Sequence, residues 1–87
     1  MVADMDQPNS PGPWNECVLA RTGASGGLEF VGTTRRAAAL LANKWPSDGP
    51  AFRTAVQTCN DVLRSWLPTY LARISFEEAV REASLSP

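Results

Sequence analysis

Three prolines set the lengths of the segments available to this chain: Pro46 after Trp45, Pro50 after Gly49, and Pro68 after Leu67. Proline lacks a backbone donor and pushes the residue before it out of helical geometry, so each one closes one helical segment or opens the next. The intervening pieces, 35–45, 50–67 and 69–85, are each long enough for about three to five helical turns. Upstream, 15–22 and 28–32 carry two short apolar runs separated by Gly23-Ala24-Ser25-Gly26-Gly27. That pattern predicts a β-hairpin whose loop is too long to set the register and has a mobile tip. The expected class is α+β, an N-terminal β-hairpin followed by three α-helices packed around one small core.

Residues 1–13 hold Pro8, Asn9, Ser10, Pro11, Gly12 and Pro13. Such a composition buries too little apolar surface to offset ordering entropy, so a flexible N-terminal tail is expected, with 14–87 forming a single α+β domain. A chain of 87 residues lies near the lower limit for a self-sufficient core. Its large apolar residues are therefore read as core first. In the first helix Ala37, Ala38, Leu41 and Trp45 share a face, with Thr33 or Thr34 as cap. Phe52, Ala55, Val56, Cys59, Val62, Leu63, Trp66 and Leu67 make a broad stripe on the second, which marks it as the central element. The third presents Ala72, Phe76, Ala79, Val80 and Ala83. Trp45, Phe52, Cys59, Leu63, Trp66 and Phe76 are expected to be mostly buried. Leu71, Ile74 and Leu85 fall off this stripe; they either pack on the connection after Trp66 or form an exposed contact patch.

Composition narrows the function classes. The formal charge is -1 and the pI about 5.2, which disfavours nucleic-acid binding driven by counterion release. No run approaches the roughly 18 apolar residues of a membrane span, and the first dozen residues do not read as a signal peptide. A cytoplasmic location follows as the expectation, with Cys17 and Cys59 as thiols too far apart for a zinc pair. The chain contains no histidine, so neither a serine nor a cysteine has its usual activating base. Glu77, Glu78 and Glu82 lie on one helix, where adjacent carboxylates diverge and a pair four apart reads as solvated surface. Neither a catalytic constellation nor a cofactor is expected.

Several of these residues together carry a family resemblance. Trp14, an apolar strand, Thr33-Thr34 before an Ala/Leu helix ending in Trp45-Pro46, Gly49-Pro50-Ala51-Phe52, Ala55, Cys59, and Ala72-Arg73 with Phe76, Ala79 and Ala83 resemble the domain of unknown function 982 family. Its members are small bacterial proteins, known mainly from rhizobia and their relatives. Members often have a proline-valine pair in the first strand and a glycine near Ser65; Cys17-Val18 and Ser65-Trp66 stand there in this chain. The resemblance implies a hairpin-plus-helices domain and supplies no established activity.

The expected function is that of a non-enzymatic interaction or regulatory module with a protein partner, a homodimer through a strand edge being one form of it. The alternative is a binder of nucleic acid or of a phosphate ligand. For that, Arg21, Arg35 and Arg36 are the candidates, because Arg35 and Arg36 sit in a first helical turn, where positive charge is unfavourable. Either Glu16 or Glu29 compensates them, or they face an anion. Arg73 is a further candidate, with an architectural role toward Asp61 or the end of the second helix as its competing reading.

Overall fold

The computed structural model describes residues 13–21, 27–43, 45–46 and 48–85. The expected tail, up to residue 12, and the hairpin tip, 22–26, lie outside the described residues. Two antiparallel strands, β1 (Val18–Arg21) and β2 (Leu28–Val31), precede α1 (Thr34–Asn43), α2 (Pro50–Leu63) and α3 (Thr69–Glu82). The α+β reading of hairpin followed by three helices holds.

The strands pair Val18 with Val31, Leu19 with Phe30, Ala20 with Glu29 and Arg21 with Leu28. Side chains alternate between faces along a strand, so Val18, Ala20, Glu29 and Val31 form the inner face and Leu19, Arg21, Leu28 and Phe30 the outer one. Val18, Ala20 and Val31 are buried. Arg21 donates its amide to the Leu85 carbonyl at 2.9 Å, tying the end of β1 to the chain after α3.

Thr33 caps α1: its Oγ1 accepts the Arg36 amide at 3.1 Å while its carbonyl takes the Ala37 amide, also at 3.1 Å. Thr34 is buried and accepts the Trp14 indole Nε1–H at 3.0 Å, which ties the segment before β1 to α1. The centre of the core is Phe76, fully buried on α3. Trp14 and Trp45 tilt against it at centroid separations of 5.8 and 5.5 Å, and Phe52 stacks on Trp45 at 6.4 Å. Each such ring pair adds about 0.5–1.5 kcal/mol beyond the area it buries. Trp45 and Phe52 flank the α1–α2 connection, so the aromatic cluster is also what closes that turn.

The start of α2 explains its Gly-Pro pair. Gly49 has no side chain to cap with, and Pro50 occupies the first turn, where a missing amide costs nothing. The free amides of Ala51 and Phe52 instead donate to the two carboxylate oxygens of Glu82 on α3, both at 3.0 Å. A Cβ on residue 49 would lie 2.6 Å from Glu82 Cδ. A side chain at residue 49 would push the Glu82 carboxylate aside, so glycine here leaves room for the cap from the other helix.

α1 ends at Asn43, short of 45, and α2 and α3 also end before their expected bounds. α2 stops at Leu63, short of 67, because Ser65 turns left-handed (φ 64°), with its amide on the Val62 carbonyl and the Trp66 amide on that of Asp61. α3 stops at Glu82, short of 85, by the same device: Ser84 has φ 59°, its amide bonds the Arg81 carbonyl, and the Leu85 amide bonds that of Val80. These are two Schellman terminations with serine at the position glycine usually fills. The first turns the chain outward and leaves Trp66 67 % exposed, against the expectation of burial. Cys59 and Phe76 are buried as expected, whereas Trp45, Phe52 and Leu63 are half-buried. Leu40, not assigned to the core face of α1, is buried.

Candidate functional site

The basic residues at the start of α1 do not come together. Arg36 reaches the inner face of β2 and grips Glu29 with two hydrogen bonds, Nε to Oε2 and Nη2 to Oε1, the latter at 2.9 Å. That pairing raises the Arg36 pKa. Arg21 lies on the outer face of the hairpin, opposite Leu28, so the sheet itself separates it from Arg36. Arg35 is exposed.

Arg73, at 24 % side-chain exposure, lies 3.6 Å from Glu77 Oε1 and 4.0 Å from Glu16 Oε1. Its partners are thus its own helix and the segment before β1, in place of the expected Asp61; Asp61 lies within reach of Gln57. Arg73 also borders a small pocket of about 80 Å³ with Trp14, Asn15, Thr69 and Tyr70. That volume holds only a few water molecules. A larger open cleft of about 380 Å³ lies along Leu41, Asn43, Trp45, Asp48 and Phe52. Its amide, on Asn43, already donates to the Ala39 carbonyl at 2.8 Å.

The three apolar contact candidates are also dispersed. Ile74 is 42 % exposed and Leu71 half-buried, while Leu85 packs on the core and is held by its own amide and carbonyl. Tyr70 lies one turn before Ile74 on α3 and is exposed. Trp66, beyond the end of α2, carries the Arg64 guanidinium 5.1 Å from its ring centroid.

Among the described residues no cluster of three or more metal-ligating side chains occurs, and no helix is long and apolar enough to cross a membrane. Both cysteines are free thiols. Cys17 is exposed, and Cys59 is fully buried with its pKa pushed up from an ordinary 9.0 to about 12 by desolvation. A thiol held that firmly in its protonated form is inert.

What remains is the outer face of the hairpin. Phe30 is 72 % exposed and Leu28 51 % exposed, two residues apart on β2, with the half-buried Leu19 across from Phe30. Solvent-facing strand positions ordinarily carry polar side chains; here only Arg21 does. The apolar runs mark Leu28 and Phe30 as hairpin residues, and a signal for their shared face lies in the sequence too: Leu28, Phe30 and Val31 put apolar groups on both faces of a strand that helices cover on only one.

The architecture defines a small hairpin-plus-three-helix domain. The chain belongs to the DUF982 family, described as proteins of unknown function, whose model matches residues 16–87. No curated protein and no solved structure matches it.

Proposed function

We propose that this protein is a non-enzymatic interaction module that engages a protein partner through the outer face of its hairpin, in a reducing compartment where Cys17 and Cys59 stay thiols. The observation that carries the reading is the exposure of Phe30 and Leu28 side by side on β2. Burying a Phe or Leu side chain contributes about 1.5–3 kcal/mol. Loss of either contact should therefore weaken binding about tenfold or more. The competing reading, an anionic ligand at the start of α1, has less support because Arg36 is committed to Glu29 and Arg21 lies on the opposite face of the sheet.

Affinity capture with three baits tests the reading: the unaltered chain, Leu28→Ser/Phe30→Ser, and Arg35→Ala/Arg36→Ala. Partners lost with the hairpin variant and kept with the arginine variant would support it. Partners lost only with the arginine variant would move the site to α1.

A further inference from the structure

We propose that the strand edge of β2 pairs with β2 of a second copy, antiparallel, about a two-fold axis at Glu29; the inference rests on the hairpin-face reading and names its partner. The hydrogen-bond pattern of the hairpin decides which backbone groups are available. Arg21 directs its amide away from β2 to the Leu85 carbonyl. In an antiparallel ladder bonded and non-bonded pairs alternate, so Arg21–Leu28 and Leu19–Phe30 are the non-bonded pairs and Ala20–Glu29 and Val18–Val31 the bonded ones. Leu28 and Phe30 therefore point their amides and carbonyls outward along the β2 edge. Among the described residues nothing hydrogen-bonds those groups.

These outward groups match themselves. With Glu29 on the axis, Leu28 faces Phe30 of the second copy and Phe30 faces its Leu28, so every outward amide meets an outward carbonyl. The same pairing packs the exposed Leu28 and Phe30 side chains of one copy against Phe30 and Leu28 of the other on the outer face, where directly opposed side chains interact most strongly. A register with Phe30 on the axis would bring Leu28 of the second copy to Gly32, whose carbonyl already takes the Trp14 amide at 2.8 Å. The Trp14 segment thus disfavours the Phe30-centred register, and the Glu29-centred one opposes Leu28 and Phe30 to each other. Edge strands are commonly protected by lysine, proline or a bulge; β2 reads Leu-Glu-Phe-Val and carries no lysine or proline.

Charge is the term that could oppose this arrangement, because it places two Glu29 side chains opposite each other on the inner face. Each is already bidentately bonded to its own Arg36. Two carboxylates and two guanidinia make a neutral cluster in which each Arg36, half-exposed at 51 %, can also serve the other copy's Glu29. The pair Arg36–Glu29 thus turns a like-charge contact into a complementary one. One short strand edge buries less than the roughly 800 Å² per partner of a standard complex, so the association is reversible and concentration-dependent.

Sedimentation equilibrium of the full chain from low micromolar to about millimolar concentration should show dimer mass emerging at the upper end. Phe30→Ser should raise the dissociation constant at least tenfold. Arg36→Gln should raise it as well, and Glu29→Gln/Arg36→Gln, which removes both charges, should recover most of the loss. Circular dichroism melts check that the variants stay folded. The register has its own readout: in a Cys17→Ser background, an equimolar mixture of Leu28→Cys and Phe30→Cys chains should form the mixed disulfide several-fold over either like pair. A monomer mass at every concentration, or like pairs cross-linking as readily as the mixed one, would overturn the proposal. If hairpin-dependent capture persists while the chain stays monomeric, the second-copy inference fails and the interaction-module reading stands. If capture also ignores Leu28 and Phe30, both fail.

Discussion

Cys59 and Cys17 show how position in the fold decides residue chemistry. Cys59 lies mid-stripe on α2, where helical spacing turns it inward, whereas Cys17 lies just before β1 and is exposed. Cys59 lies in the core with no exposed surface, and desolvation alone lifts its pKa to about 12. Its protonated form is favoured in the folded state, so its contribution to stability is complete below the ordinary value near 9 and is lost as pH rises through the window from about 9 to about 12. A Cys59→Ala variant should therefore show a shallower fall in stability across that window than the unaltered chain, measured by urea unfolding at fixed pH steps. An equal slope in both would contradict the burial. Under native conditions a thiol reagent should label Cys17 alone, with Cys59 reacting only after unfolding.

At the scale of elements, the helix ends hold the clearest physical surplus cost. Ser65 and Ser84 both adopt left-handed backbone at the ends of α2 and α3, a conformation in which a side chain costs about 1 kcal/mol relative to glycine. Ser65 is exposed, with no packing to lose. Ser65→Gly should stabilise the domain by about 0.5–1 kcal/mol, a rise of several degrees in Tm for a chain of this size. An unchanged or lower Tm would mean that the α2 end does not take the left-handed turn. The same turn explains Trp66: it lies on the apolar stripe only if the helix continues to it, and α2 ends three residues earlier.

For the whole molecule, the long-range tie that matters most is Glu82, which joins the last turn of α3 to the first turn of α2 across some 30 residues of chain. A carboxylate accepts both amides; a carboxamide offers one acceptor oxygen and no charge. Glu82→Gln should cost about 1–2 kcal/mol and speed amide exchange at Ala51 and Phe52 in particular. Gly49→Ala should produce the same local signature by displacing the carboxylate. Protection at Ala51 and Phe52 that is indifferent to both changes would rule out the cap.

Helix and strand existence was readable from proline placement and apolar spacing, since both are set by local sterics and by the repeat of the element itself. Cys59, Phe76 and Ala72 could be assigned to the core for the same reason: each lies mid-stripe, where a shift in helix ends leaves its side facing inward. The end of α2 could not be read, because serine carries no turn signal as strong as glycine's. Glu29 is one of the compensators the sequence offers for Arg36, and Arg73–Glu77 is a pair within one helix; the Glu16 partner of Arg73, 57 residues away, and the amides held by Glu82, 30 and 31 residues away, could not be read, since pairing at such distances is decided by how the elements pack. The same holds for the hairpin: alternation sorts Leu28 and Phe30 from Glu29 and Val31, and only the seating of the helices against one face leaves the other pair in solvent.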